Sequence, residues 1–306
     1  MALISSGNII STTSATSLEL KAEANESFRV TDIHILGQAS AYATIIVDGK
    51  NQGYIRCDAG ATTLGNMIPF IPTNSRMKTI LGLLYDKGIF KGYPVATGTK
   101  IIVKVPTTAT VIAMVYDKYD AGEVKSSEQG GKDSSEQIVL NYGTVAATVS
   151  TATETQLTVK SNPADFPDFP FKDTAPSKRK VEILGVCASA RAYTLSSGND
   201  IFTSYLKMVS KEGTIFDEKN LVGMMCRAVP STSSTTFIAE AGYDICGENS
   251  LLYQKEPLIF KTPLVFESGE DFDTFWGTEM TGTGTRVLTA AQLEICYIMR
   301  ITKTGD

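Results

Sequence analysis

One ordered set of short motifs occurs twice in this chain, and it constrains the fold more than any other feature. Gly7 leads a Ser/Thr-rich run into Leu18-Glu19-Leu20-Lys21, and Gly143 leads a similar run into Leu157-Thr158-Val159-Lys160. Each run precedes an apolar core, Ile35-Leu36-Gly37 in the first copy and Ile183-Leu184-Gly185 in the second. Small residues follow both cores, Ala39-Ser40-Ala41-Tyr42 and Ala188-Ser189-Ala190-Arg191-Ala192-Tyr193. Gly98-Thr99-Lys100-Ile101 and Gly284-Thr285-Arg286-Val287 then introduce the last strand of each copy. Single strings of this length recur by chance, so the shared order carries the argument. The period is far above that of a solenoid and predicts two tandem domains of one type.

A chain of 306 residues has room for two such domains, at about 150 residues each. A domain of that size buries roughly 70% of its unfolded surface, so each half can hold its own core. The net charge of -5 argues against a general phosphate-backbone binder, which needs clustered Lys and Arg to displace counterions. The segment Met1-Ala2-Leu3-Ile4-Ser5-Ser6-Gly7 has no basic start and no long apolar run, so no signal peptide is expected. No apolar stretch approaches the ~18–20 residues of a membrane-spanning helix. These features predict folding in a cytoplasm. Cys57, Cys187, Cys226, Cys246 and Cys296 are odd in number and show no C-x-x-C spacing. They read as reduced, buried thiols, with neither a disulfide framework nor a zinc site.

The dominant periodicity is β. Residues 29–36 alternate through Val30, Ile33 and Ile35, and residues 43–47 run into the turn Asp48-Gly49-Lys50-Asn51. Residues 100–105 form another β-branched run, and residues 111–116 are dense enough to predict burial on both faces. In the second half, Leu293, Ile295, Tyr297, Met299 and Ile301 alternate with Glu294, Cys296, Ile298 and Arg300. Two segments carry helical spacing instead. Residues 75–87 place Met77, Ile80, Leu81 and Leu84 on one face, with Asn74 or Ser75 as a cap and Gly88 at the end. Residues 200–212 do the same with Ile201, Phe202, Tyr205, Leu206 and Val209, between Asp200 and Gly213. The predicted class is therefore all-β with a few short helices, and many short strands point to sandwiches or barrels.

Residues 120–137 repeat Ser-Ser-Glu-Gln around a Gly pair and offer little to bury. They read as a linker or exposed loop between domains at 1–125 and 126–306. Residues 161–176 carry Pro163, Pro167, Pro170 and Pro176 with Phe166, Phe169 and Phe171. The prolines forbid a central strand, and the phenylalanines require cover from the domain or from a neighbouring subunit.

Catalytic chemistry has little support. His34 is the one histidine and sits in a strand-like run, with no nucleophile or orienting acid nominated beside it. A G-x-S-x-G elbow and a phosphate loop are both absent. The acidic run Glu267, Glu270, Asp271, Asp273 and Glu279, with Phe272, Phe275 and Trp276, has the residue types of a calcium or sugar site. It lacks the full EF-hand spacing, and the plainer reading is a solvated loop anchored by its aromatics. Lys178-Arg179-Lys180 reads as a solvated strand edge rather than a nucleic-acid patch.

Two β-rich halves, the segments 75–87 and 200–212, the terminal strands 111–116 and 293–301, and the missing catalytic constellation together resemble one family. It is the double jelly-roll major capsid proteins of tailless icosahedral viruses, many of which enclose a membrane, and in particular the smaller bacterial and archaeal members. The resemblance is architectural, spans nearly the whole chain and rests on no diagnostic motif. It implies two tandem eight-stranded jelly-roll β-sandwiches, and homotrimers of pseudo-hexameric outline that tile an icosahedral shell. It implies a virion protein, assembled in the host cytoplasm, with no enzymatic activity, no catalytic, cofactor-binding or metal-binding residue and no cofactor. Its implied partners are further copies of itself, minor capsid or spike proteins and an internal membrane, with no sequence-specific nucleic acid. Residues 1–12 lack a long basic or amphipathic arm and suit a short clamp at most. The alternative is a carbohydrate- or receptor-binding tandem β-sandwich, such as a phage spike or tail adhesin, with an aromatic platform at Phe272, Phe275 and Trp276.

Overall fold

The structure is a computed structural model. It describes residues 2–37, 41–57, 79–145, 154–161, 168–171, 174–188, 191–195, 201–217, 236–239, 258–281, 286–287 and 295–305. These form an all-β protein with one short helix among the described residues. The chain divides into two compact units. One comprises Met1–Thr63, Pro69–Leu140 and Ile298–Gly305, and the other Asn141–Tyr297 with Leu64–Ile68.

In the first unit, β1 (Leu3–Lys21) and β6 (Lys100–Asp120) pair antiparallel along almost their whole length. Pairing with β1 lapses between Lys104 and Ala109 of β6, around Pro106, because proline has no N–H to give to the ladder. The register shifts at the same place, between Ala15 and Ser17 of β1. Each half of β6 carries different neighbours on its other side. Its C-terminal half pairs with β2 (Glu26–Leu36), which pairs with β5 (Tyr93–Val95). Its N-terminal half pairs with β3 (Tyr42–Val47), which pairs with β4 (Lys50–Arg56). Both layers bury one face, with Ile33, Ile35, Ile112 and Met114 from one and Ile45, Val47, Ile101 and Val103 from the other.

The β3–β4 hairpin turns at Asp48 and Gly49, with φ of 45° and 83°. This is the Asp-Gly two-residue loop whose twist matches that of the flanking strands. Residues 111–116 differ from the expectation of burial on both faces. Ile112 and Met114 are fully buried, whereas Val111, Ala113 and Val115 are half-buried. β-branched residues favour a strand on either face, so their density reports conformation and not a second layer of cover.

The predicted helix over 75–87 is observed as α1 (Ile80–Asp86). Its N-cap is Thr79, whose side chain accepts from Leu81 N at 3.2 Å. Asn74 and Ser75 lie outside the described residues. Gly88 follows the C-cap Lys87 with φ of 70°, as the sequence suggested.

The rest of the chain supplies β7 (Glu136–Val145), β8 (Glu154–Lys160), β9 (Arg179–Ala188), β10 (Arg191–Leu195), β11 (Ile201–Ser210) and β12 (Gly213–Asp217). It continues through β13 (Thr236–Ala239), β14 (Leu258–Phe266), β15 (Phe272–Thr281), β16 (Arg286–Val287) and β17 (Ile295–Lys303). One sheet runs β12-β11-β15-β8-β7-β17-β9-β14 and a second runs β13-β10-β16.

Residues 200–212 are not a helix. β11 pairs with β15 over ten residues, from Ile201 opposite Thr281 to Ser210 opposite Phe272, and turns before Gly213 into β12. Ile201, Phe202, Thr203, Tyr205 and Val209 are β-branched or aromatic, and this propensity with a full-length partner outweighs their helical spacing. Asp200, the expected cap, lies outside the described residues.

The sequence repeat returns as a repeat of strand order. In the first unit the central strand β6 lies between β1 and β2, and β5 follows β2; correspondingly, β17 lies between β7 and β9, and β14 follows β9. The order β4-β3-β6 is likewise matched by β13-β10-β16. Ile35-Leu36 closes β2 and Ile183-Leu184 lies in β9, so the motif pair marks equivalent strands.

Residues 121–135 form a laced loop of the first unit. Val124, Gln129 and Ser134 are buried in it. Glu128 pairs with Arg29, Gln129 accepts from Lys91 N at 2.8 Å, and Gly131 O accepts from Gln52 Nε2 at 3.1 Å. Lys132 reaches Asp48 at 3.2 Å. A polar sequence holds this loop down through hydrogen bonds where apolar contact is scarce.

Candidate functional site

The features singled out in the sequence fall at four separate places, and the chemistry of each can be read from its partners. His34 stands on β2 with Nε2 3.1 Å from Asp32 Oδ2. Asp32, 5% exposed, also accepts from Thr79 N at 3.1 Å and from the Thr79 hydroxyl. A nucleophilic triad needs imidazole between hydroxyl and carboxylate, so that it can take the hydroxyl proton. Here the carboxylate occupies the middle, and Thr79 is fully buried. The arrangement fixes the start of α1 against the sheet. Tyr85 completes the docking by donating to Asp117 Oδ2 at 3.1 Å. Desolvation, then the neighbouring Asp117 carboxylate, pushes the Tyr85 phenol up to about 12.

The acidic loop before β15 does not converge on one point. Glu270 Oε2 accepts from Glu267 N at 2.7 Å, closing its own turn. Asp273 accepts from Gln156 Nε2 at 2.7 Å, and Asp271 points into solvent. No group of three or more His, Cys, Asp or Glu suited to a metal ion occurs among the described residues. Phe272 is not part of an exposed platform. It is 3% exposed and packs on Phe266 and Tyr297, with ring centroids 5.0 and 5.8 Å away. Lys207 lies 5.7 Å over the ring of half-buried Phe275. The side chains of Trp276 and Glu279 lie outside those described.

Phe169 and Phe171 are buried in the same cluster, so their cover comes from this unit itself; Phe166 lies outside the described residues. At the centre of the cluster, Tyr297 OH and Thr274 Oγ1 are 2.5 Å apart and satisfy one another. Burial pushes the Tyr297 phenol well above its ordinary range.

At the start of β9, Lys180 pairs with Glu182 at 3.4 Å. Lys178 is exposed, whereas Arg179 and Lys180 are half-buried. Cys57 and Cys296 are buried thiols, as the sequence predicted for them.

A cleft of about 360 Å³ lies between the β11–β12 turn and the end of β14. Lys211, Glu212, Leu264, Val265, Glu270 and Asp271 line it. Sequence reasoning reached its acidic rim but not its apolar floor, because that floor comes from a strand separated from the hairpin by some fifty residues.

One surface was read in the sequence only as a short clamp at residues 1–12. β1 exposes Leu3, Ile4 and Ile9 at 53%, 51% and 65%. Among the described residues β1 has a strand on one side only, and an unpaired edge of this kind is a template for further pairing. Its sequence signal is the run of eighteen residues without a charged side chain that precedes Glu19.

No protein-family model matches this chain, and no curated protein is significantly similar to it.

Proposed function

We propose that this chain is a structural shell protein that works by self-assembly, of the double jelly-roll major capsid type. The observation that carries the reading is the strand order. Split where their pairing lapses around Pro106, β1 and β6 give the orders β1-β6-β2-β5 and β1-β6-β3-β4. That order supports a jelly roll, in which two Greek keys fold into facing sheets. The partial recurrence of this order in the second half supports a tandem pair. Three copies of two like domains approximate sixfold symmetry, which suits tiling of a flat facet.

The dispersed chemistry agrees with such a role. Asp32, Glu128 and Asp273 each hold a loop, helix or strand in place. Rigid sandwich sides make assembly contacts, and the loops are free to vary. Negative-stain imaging of the purified chain tests the reading: hexagonal trimers or closed shells are expected, and isolated single chains in every field contradict it.

A tandem β-sandwich adhesin is the second reading, favoured by the cleft beside Glu270 and Asp271. In that case Asp271→Ala abolishes glycan binding, whereas the shell reading expects assembly to survive the substitution.

A further inference from the structure

We propose that Asp117 is a conformational latch: its one carboxylate joins the C-terminal end of α1 to the first residues of β1, so that release of the helix releases this end of the strand. The latch belongs to the first unit and stands whichever function the chain serves. Asp117 lies on β6, opposite Arg29 of β2. Its two oxygens serve two different elements. Oδ2 accepts from the Tyr85 hydroxyl of α1 at 3.1 Å, and Oδ1 accepts from Gly7 N of β1 at 3.0 Å.

The course of β1 explains why it needs this acceptor. Ser5 stands opposite Lys118 and Asn8 opposite Tyr116, so Ser6 and Gly7 together face Asp117 alone. Two residues against one make a β-bulge. Gly7 takes φ of 66° there, a left-handed conformation open to glycine without steric cost. A bulge removes a backbone N–H from the ladder, and another acceptor must then receive it. Asp117 does so for Gly7. Asn8 spans the same bulge, with Nδ2 donating to Ser5 Oγ at 2.9 Å and to Tyr116 O at 3.3 Å. A further register shift, between Leu3 and Ser5, sets Leu3–Asn8 against only Tyr116–Tyr119 of β6. Side chains therefore tie down this end of β1, whereas Asn8–Thr13 keeps an unbroken register.

The helix depends on the same carboxylate. α1 has seven residues, and isolated helices below about 12–15 residues are marginal in water. It is tied through Thr79 to Asp32 at its start and through Tyr85 to Asp117 at its end. A hydrogen bond to an ionised carboxylate is stronger than a neutral one and fixes its direction. With the Tyr85 hydroxyl in place, Asp117 is held with Oδ1 toward Gly7. Without it, the carboxylate is free to turn away. Such a coupling is reciprocal, because each site biases the other by the same factor.

Amide hydrogen exchange on the full chain, followed over residues 3–8 and 80–86, tests the latch. Tyr85→Phe keeps the ring and removes only the hydroxyl. It is expected to speed exchange over residues 3–8 about fivefold or more, as for a typical coupling between sites. Asn8→Ala loosens the bulge and alters no residue of the helix, yet it is expected to speed exchange over residues 80–86. Asp117→Asn offers one carbonyl oxygen in place of two, so it serves only one of the two donors and is expected to speed both segments. Ile33–Ile35 of β2 are expected to keep their rates throughout. A Tyr85→Phe chain whose residues 3–8 exchange as before, or an Asn8→Ala chain whose residues 80–86 do so, overturns the latch. Equal acceleration reaching Ile33–Ile35 also overturns it, since that reports a general loss of stability.

Discussion

Asp32 shows how far a single side chain reaches in this fold. Its carboxylate receives a backbone N–H and a hydroxyl from Thr79 and faces His34, all in a nearly water-free position. Asp32→Asn keeps the shape but turns one acceptor into a donor facing other donors. A lost buried hydrogen bond to a charged group costs about 1.5–3 kcal/mol, so the urea midpoint is expected to fall by that equivalent, with residues 79–86 exchanging their amide hydrogens first. The sequence made His34 legible as a strand residue. It could not reveal Thr79, because forty-five residues separate the two and only the docking of α1 joins them.

Alkaline stability is governed at the same scale. Desolvation and Asp117 raise the Tyr85 phenol from 10.0 to about 12 in the folded state. A raised folded value means that the fold keeps the neutral form. Its stabilising effect is complete below the unfolded value near pH 10 and disappears as pH rises through about 12. Tyr93 and Tyr297 are pushed up further by burial and extend the same trend. In denaturation curves between pH 9 and pH 12, Tyr85→Phe is expected to lose less stability than the unsubstituted chain. Equal slopes would show that Tyr85 titrates alike in both states.

At the scale of elements, helical spacing of apolar residues was read in two segments and is realised in one. Residues 80–86 end at a glycine and have Thr79 to cap them, whereas residues 201–210 have an uninterrupted partner in β15. Pairing partners are non-local, so a periodicity argument does not see them. Residues 121–135 carry a related lesson. Their polarity suggested a linker or exposed loop, and the partners that Glu128, Gln129 and Lys132 find on the sheet and its loops were not legible in it. The turn is also tight. A Cβ at Gly131 would lie 2.1 Å from Ser126 O, a backbone atom that cannot swing aside. Gly131→Ala is therefore expected to lower stability by about 1–3 kcal/mol and to make this loop the first site of limited proteolysis. An unchanged melting curve would mean the loop is not held as described.

For the whole molecule, the legible part was the repeat. Ile35-Leu36-Gly37 and Ile183-Leu184-Gly185 fall on strands with equivalent neighbours, which short motifs in a shared order were able to signal. What stayed hidden was the function of the surface. Exposed Leu3, Ile4 and Ile9 look like core residues in the sequence, and only the finished sheet shows that β1 has a neighbour on one side alone among the described residues. The proposed self-assembly is consistent with a chain whose polar groups hold structure and whose exposed apolar side chains Leu3, Ile4 and Ile9 lie on β1.

The mass of the purified chain by light scattering, over a range of concentration and salt, tests that claim most directly. The account predicts three times the 32.9 kDa chain mass, or a whole multiple of that trimer. A particle that stays at 32.9 kDa throughout would contradict it.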